Sequence, residues 1–510
     1  DYKDSSHVEI NVSTDPVSLK SLQPLLSAFP QLQNQLKLED GTGKVTEAKI
    51  WKSDGAVAYR VTGSFNHAAL SYDNYVLADG AAFFNIENGV LSLSDVSGRV
   101  NGQKLTGALS VDTAADTPVF EGNVYLHKVE MEKLLPDYGA SGTVEGNVDF
   151  SGTLDNPSAL GTLTGEHLSY ENYGIDKASL AFSFSHNRLS LSRLEAEKDG
   201  GTVSGHGFYD LSGGDFSLSL LMDHVSLDGL PVETPASGTV SGYVQAEGRY
   251  AGGAPSISRA SASFEGENLS YENMAASHLA GFGSYDGQNW NVTAYGTSLA
   301  YDDISFDSLS FSASERDGVI TVPYASGAGA DGFFTGNGTY SENGMNCNVD
   351  AANVEASVFS RFTGVNMGGK VSLKAHVTGT MDVPEGTVDF TALDGHVKNA
   401  AFDKAFGHVS LAGGMASISS ISMEGPAGNH SVSGTVGISA PHEMDLTVKT
   451  NKTRIENLLS LADLDYPVTG WVSNTLHVTG SVDAPSVSGD FHAWSGSVMG
   501  ELFQSISGKY

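Results

Sequence analysis

The chain has 510 residues, of which 60 are Gly, 15 are Pro and one is Cys, a composition that excludes a disulfide scaffold, a collagen-like fibre and a small autonomous module. Its 27 basic and 60 acidic residues give a net charge of −33, which repels nucleic acid and anionic lipid headgroups at long range. Hydrophobic residues make up 40% of the chain, so a folded core can form, and no apolar run reaches the ~20 residues that span a bilayer. We expect about three to five domains, or one long repeat array, with no nucleic-acid partner.

The first 16 residues form an N-terminal segment of their own. Asp1-Tyr2-Lys3-Asp4 matches the first half of a common epitope tag, and a strand is expected after it. No signal-peptide pattern is present, so we expect that any targeting segment has been removed.

Short helix-like segments recur along the chain. Each has apolar residues three or four positions apart, as one face of a helix requires. One stretch, Val225 to Pro231, has too few such residues, so its helix is expected to be short or absent. The other segments carry the apolar sets Leu19, Leu22, Leu26 and Phe29, then Met131, Leu134 and Leu135, then Val354, Val358 and Phe362, then Ile455, Leu458 and Leu459.

Between these segments the sequence alternates apolar and polar residues with a period of two, the pattern of a half-buried β-strand. Ser and Thr fill most polar positions, and turns such as Asp199-Gly200-Gly201 separate the strands. The pattern predicts many short antiparallel strands with one apolar face. The residues expected to line that face are Val144, Val148, Phe150, Leu180, Phe182, Phe184, Phe216, Leu218, Leu220, Phe264, Leu309, Phe311, Val371, Leu373, Val377, Val409 and Leu411.

Two unrelated motifs repeat at similar intervals. Gly-x-apolar-Asp-x-Pro begins at Gly152, Gly379 and Gly480, with a degenerate copy at Gly248, so the successive spacings are 96, 131 and 101 residues. An apolar residue followed by Ser or Thr and then Gly recurs with spacings of 98, 131 and 98 residues. The agreement predicts a unit of roughly 100 residues with about 30 inserted in one copy. The expected units are residues 17–130, 131–224, 225–353 (with the insertion), 354–454 and a partial unit 455–510.

An apolar sheet face must be covered. Closed barrels, tandem sandwiches, solenoids and a sheet curled around a ligand all cover it. No linker separates the units, and the alternation continues across every expected boundary, so we favour one long curled antiparallel β-sheet.

The segment from Ile455 to Gly489 resembles the recurring unit of the TamB family, within the AsmA-like superfamily. It contains an amphipathic helix, then Val468-Thr-Gly470, then Gly480-Ser-Val-Asp-Ala-Pro485, and Val498 to Ile506 resembles the strand pair that follows. The resemblance implies a taco-shaped sheet in the periplasm of a double-membraned bacterium, with an apolar groove that carries phospholipid acyl chains. It also implies an inner-membrane anchor and an outer-membrane β-barrel partner, bound through a C-terminal region, both of which we expect to lie outside this chain.

No Gly-x-Ser-x-Gly elbow, His-Glu-x-x-His helix or cysteine pair occurs in the sequence. We therefore expect no catalytic residues, no metal and no cofactor. Three functions remain open: a lipid conduit, a scaffold for assembly of outer-membrane β-barrel proteins, and a secreted β-solenoid adhesin or polysaccharide-acting protein. The first is favoured because a continuous apolar face suits an apolar cargo.

Overall fold

The protein is all-β, as the alternating pattern predicts, and is described here by a computed structural model. The structure describes residues 10–28, 36–53, 56–72, 74–114, 117–170, 173–228, 236–302, 304–329, 332–358, 360, 366–397, 400–426, 428–461, 465–481 and 484–510. Residues 1–4, the expected tag remnant, lie outside these ranges.

The strands follow one another with short turns between most of them. The first half of the chain contains β1 (Ile10–Val12), β2 (Val17–Ser18), β3 (Leu36–Ser53), β4 (Ala56–Tyr72), β5 (Tyr75–Glu87), β6 (Val90–Val100), β7 (Gln103–Asp112), β8 (Val119–Glu130), β9 (Ala140–Gly152), β10 (Pro157–Tyr170), β11 (Tyr173–Ser185), β12 (Arg188–Lys198), β13 (Gly201–Asp210), β14 (Asp215–Ser226) and β15 (Ala236–Ala251).

The second half continues in the same way. Its strands are β16 (Ala254–Tyr271), β17 (Met274–Tyr285), β18 (Trp290–Tyr301), β19 (Ile304–Arg316), β20 (Val319–Gly329), β21 (Gly332–Ser341), β22 (Gly344–Glu355), β23 (Met367–Gly379), β24 (Pro384–Val397), β25 (Ala400–Ala412), β26 (Met415–Glu424), β27 (Asn429–Gly437), β28 (Glu443–Arg454), β29 (Val468–Ser481), β30 (Ala484–Val498) and β31 (Glu501–Lys509).

The chain divides into two units. Unit 1 contains residues 1–234 and 239–262, and unit 2 contains residues 235–238 and 263–510. Within each unit the described pairings join a strand to the strands before and after it, always antiparallel, and both β1 and β2 pair with β3. No pairing among the described residues closes either unit into a barrel, so each is an open antiparallel meander.

The helices of the described residues are short. They include a 3-10 helix (Leu19–Ala28), α1 (Met131–Leu134), a second 3-10 helix (Pro136–Tyr138) and α2 (Ile455–Leu461). The expected helices at Met131 and Ile455 are confirmed, although Leu135 already lies beyond α1. The first segment is 3-10 rather than α-helical. It contains Pro24, which lacks an amide donor and whose ring crowds the preceding turn.

The prediction that a helix begins at Val354 is wrong. Val354 belongs to β22 and pairs with Val371, because a bulge at Asn353 turns its side chain onto the apolar face. Residues 357 and 358 are helical. Phe29 and Phe362, which were assigned to helix-like segments, lie outside the described residues. So do Leu230 and Pro231, where a short or absent helix is expected.

Bulges interrupt many strands at residues that take a left-handed backbone conformation. His67, His167, Asn268, Asp394 and Ser495 have φ between 47° and 51°, and successive members are 100, 101, 126 and 101 residues apart. Such bulges increase the twist of a strand and bend the sheet. Next to His167, Gly142 has φ +108°, and a Cβ on it would lie 2.5 Å from the His167 carbonyl oxygen, so only glycine fits there.

Candidate functional site

The strand register of unit 1 places the expected lining residues on one face. Val148 pairs with Gly161, Gly161 with Phe182, and Phe182 with Leu191. Directly opposed residues in an antiparallel sheet share a face, so the row continues across the unit. The expected residues that this register puts on the same face are Val144, Val148, Phe150, Leu180, Phe182, Phe184, Phe216, Leu218 and Leu220.

Unit 2 has the same arrangement. Leu373 pairs with Phe390, Phe390 with Gly407, and Gly407 with Ile421. The expected residues that share this face are Leu309, Phe311, Val371, Leu373, Val377, Val409 and Leu411. Phe264 joins them through a contact: its ring lies over Gly281, which pairs with Ala294 and so belongs to the same row as Phe311.

The side chains of this apolar face are less buried than those of a packed core and less exposed than those of a free surface. Val144 is 8% exposed, and the other expected residues are half-buried. The chain exposes 30,256 Å². A compact chain of this length exposes about 18,000 Å², and two separate compact halves expose about 21,000 Å². The large area follows from a sheet whose apolar face has no second layer over it in the described residues.

Phenylalanine rings cover glycines on the apolar face. A Cβ built on Gly161 lies 2.7 Å from the Phe182 ring, which therefore fills the space where a side chain is missing. The same contact recurs between Gly122 and Phe150, Gly248 and Phe216, Gly281 and Phe264, Gly327 and Phe334, Gly407 and Phe390, and Gly508 and Phe491. The face is consequently smooth, because a large residue and a glycine alternate across neighbouring strands.

A hollow of about 370 Å³ lies on the apolar face of unit 1 between β4 and β9. Of the expected residues only Phe150 lines it. Sequence reasoning missed the remainder of its wall, which includes Phe65, Leu70, Leu77, Leu93, Val96, Leu105, Leu109 and Val124. The alternation of Leu105, Gly107 and Leu109 in β7 was the available signal.

The first helix packs against one end of this face. Leu19 is 7% exposed, and its Cδ2 atom lies 3.2 Å from the Cβ position of Gly43. Gly43 pairs with Phe65, which lines the hollow. This 3-10 helix therefore covers this end of the apolar face of unit 1.

The opposite face is polar and carries cross-strand ion pairs. Arg60 donates two hydrogen bonds to Glu87, at 2.9 and 2.8 Å, and this contact lowers the pKa of the carboxyl. Arg249 donates to Asp215 at 2.7 Å and lowers the pKa of that carboxyl in the same way. Arg60, Arg249 and Asp215 are exposed and Glu87 is half-buried, so the pairs favour solubility and register more than stability.

A cluster of metal ligands and a membrane-spanning helix are both absent from the described residues. Those residues include no group of three His, Cys, Asp or Glu side chains that could hold a metal ion. They also include no helix long and apolar enough to cross a membrane. Cys347, half-buried in β22, is a free thiol.

Comparison with known proteins gives no match: no family model, no curated protein and no solved structure matches this chain. The function is therefore inferred from the geometry and chemistry of the two sheet faces.

Proposed function

We propose that the protein carries phospholipid acyl chains on the apolar face of each unit, without enzymatic activity. The single observation that supports this most strongly is a continuous apolar face, half-buried by its own side chains, without a second protein layer over it in the described residues. A large apolar surface that the protein itself leaves uncovered usually marks the binding site of a partner or ligand.

Acyl chains suit this surface energetically. Each methylene group that leaves water for an apolar surface contributes roughly 0.8 kcal/mol, so a chain can move along the face while it stays buried. The charged headgroup remains in water at the edge of the sheet, where its solvation is kept. Movement down a concentration gradient needs no cofactor.

The same proposal includes a curled sheet built of units of roughly 100 residues. The hollow on the apolar face of unit 1 supports it, as do the left-handed residues His67, His167, Asn268, Asp394 and Ser495, which lie 100, 101, 126 and 101 residues apart. The likeness to the TamB family supports a place in the periplasm of a double-membraned bacterium. An inner-membrane anchor and an outer-membrane β-barrel partner complete the proposal.

Photo-crosslinking tests the proposal with two leucines of one strand. Leu218 lies on the apolar face of β14 and Leu221 on its polar face, where it is 56% exposed. Benzoylphenylalanine at position 218 is expected to crosslink phospholipid when the protein is expressed in a double-membraned bacterium. The same residue at position 221 is the matched control.

Lipid adducts at both positions, or at neither, contradict lipid carriage on the apolar face. Adducts to unfolded polypeptide alone favour the assembly scaffold instead.

A further inference from the structure

The polar face of unit 2 contains a feature that lipid carriage does not use. Two adjoining hollows of about 630 and 490 Å³ lie across β20 to β26. Asp350, Lys374 and Asp389 line both hollows, so the two form one shallow trough. We refer to it as the polar trough.

Planar polar side chains in the trough are held by one another. His376 Nδ1 lies 2.8 Å from Asn348 Oδ1, and Asn348 Nδ2 donates to Asn337 Oδ1 at 3.0 Å. Lys374 Nζ lies 3.2 Å from Asp350 Oδ2. These groups come from three consecutive strands, so one hydrogen-bonding side chain follows another across the sheet.

A second hydrogen-bonded chain continues the trough. His408 Nδ1 lies 2.6 Å from Asp389 Oδ1, and the Ser410 hydroxyl lies 3.2 Å from His408 Nε2. A carboxylate only accepts, so His408 Nδ1 donates to Asp389, and His408 Nε2 forms a second hydrogen bond with the Ser410 hydroxyl.

The order of these groups is that of a hydrolase triad, but two features oppose catalysis. The side chains of His408 and Asp389 are 42% and 63% exposed, so water competes for both. Ser410 is paired with Thr387 on one neighbouring strand and with Ser417 on the other. Backbone amides that hydrogen-bond to neighbouring strands cannot also stabilise an oxyanion. We assign these groups to ligand binding.

Aromatic rings stand at the two ends of the polar trough. Tyr324 lines one hollow and is 50% exposed, and Phe406 lines the other and is 37% exposed. Lys404 Nζ lies over the Phe406 ring, 4.9 Å from its centroid. Exposed rings offer an apolar surface that can stack on a flat ligand with a weakly polar face.

The mixture of charges indicates an uncharged ligand. Donors and acceptors alternate along the trough, because Asp350, Lys374, Asp389 and His408 follow one another on four successive strands, so neither an anion nor a cation is favoured throughout. A polyhydroxylated ligand satisfies donors and acceptors alike. The strands are about 4.8 Å apart, a distance close to the repeat of linked pyranose rings.

We propose that the polar trough binds an uncharged linear polysaccharide that lies across the strands, with one sugar ring to about one strand and with Tyr324 and Phe406 as stacking platforms. This proposal concerns the polar face and does not depend on lipid carriage by the apolar face.

Calorimetric titration of the whole chain with cellohexaose, chitohexaose and maltohexaose tests the proposal. At least one hexasaccharide is expected to bind, and Tyr324→Ala or Phe406→Ala is expected to weaken that binding by about fivefold, the loss of one stacking contact. Phe83→Ala is the matched control, since Phe83 is 58% exposed on the polar face of unit 1, opposite Ser64 and Ser94. Circular dichroism confirms that each variant is folded.

Absence of binding by all three hexasaccharides overturns the proposal. Equal binding by wild type, Tyr324→Ala and Phe406→Ala overturns it too, as does displacement of the bound sugar by an anionic polymer such as heparin with higher affinity. Lipid crosslinking at position 218 is unaffected by any of these results, so the two proposals fail separately.

Discussion

At the scale of single residues, the pairing of glycine with phenylalanine shapes the apolar face. Gly161 has no room for a Cβ, which would lie 2.7 Å from the Phe182 ring and 2.8 Å from the Asn147 carbonyl oxygen. Gly174, on the next strand, has only the Leu168 carbonyl oxygen nearby, at 3.8 Å. The two glycines therefore separate the effect of crowding from the general effect of removing a glycine.

We predict that Gly161→Ala destabilises the protein by about 1–3 kcal/mol, since the added methyl forces Phe182 or the strand to move. Gly174→Ala is expected to be neutral or to stabilise by about 0.4–1 kcal/mol, because alanine restricts the unfolded chain. Urea denaturation, together with hydrogen exchange of β10 and β11, measures both. Equal destabilisation by the two substitutions would show that the ring contact is unimportant.

Ion pairs of the polar face respond to pH at the same scale. The hydrogen bond from Arg249 lowers the pKa of Asp215 below its ordinary value of 3.8. A carboxyl with a lowered folded-state pKa contributes stability above its unfolded-state pKa and loses it as pH falls through the folded-state value. The contribution of Asp215 is thus complete at neutral pH and disappears in acid.

We predict that Arg249→Gln returns the pKa of Asp215 towards 3.8, because the charge-assisted hydrogen bond is the largest cause of its shift. Carboxyl chemical shifts followed by NMR during an acid titration measure the change. Arg60→Gln, which removes the partner of Glu87 on β4 and β5, is the control and should leave Asp215 unchanged.

At the scale of strands, bulges decide how the sheet bends and which side chains face each way. Asn268 is exposed in β16 with φ +50°, a conformation that Asn tolerates and β-branched residues avoid. The left-handed conformation at this position thus depends on the residue type.

Asn268→Val is expected to cost about 1–2 kcal/mol, whereas Asn268→Gly is expected to be neutral or slightly stabilising, since only the side chain with a Cβ is strained there. Thermal unfolding followed by circular dichroism compares them. If valine and glycine behave alike, the left-handed conformation at position 268 is wrong.

Bulges also explain what the sequence could and could not predict. Strands without interruption, such as the stretch with Leu180, Phe182 and Phe184, alternate regularly and reveal their apolar face. Bulges at Asp79 and Asp95 break the alternation of apolar and polar residues in β5 and β6. The residues that line the hollow between β4 and β9 therefore could not be predicted from that alternation. The contact of Phe182 with Gly161 depends on register between strands, which no local pattern encodes.

At the scale of the whole molecule, the two faces of the sheet have different proposed partners. The apolar face is half-buried and continuous within each unit, and the polar face carries ion pairs, hydrogen-bonded amides and exposed rings. The all-β class and the antiparallel sheet agree with the sequence. Lipid carriage is a proposal that depends on the chemistry of these faces, and the repeat units and the cell envelope are proposals that depend on recurring residues and on the resemblance to the TamB family.

Native mass spectrometry of phospholipid that co-purifies with the protein tests the central claim most directly. One variant carries Phe182→Glu, Leu373→Glu and Leu411→Glu on the apolar face. Its control carries Ser183→Glu, Ser417→Glu and Ser488→Glu, three exposed positions on the polar face with the same added charge. We predict bound phospholipid in the wild type and the control and its loss in the apolar-face variant, because carboxylates beside acyl chains lose their hydration. Folded wild-type protein free of lipid, or equal lipid in all three proteins, would contradict carriage on the apolar face.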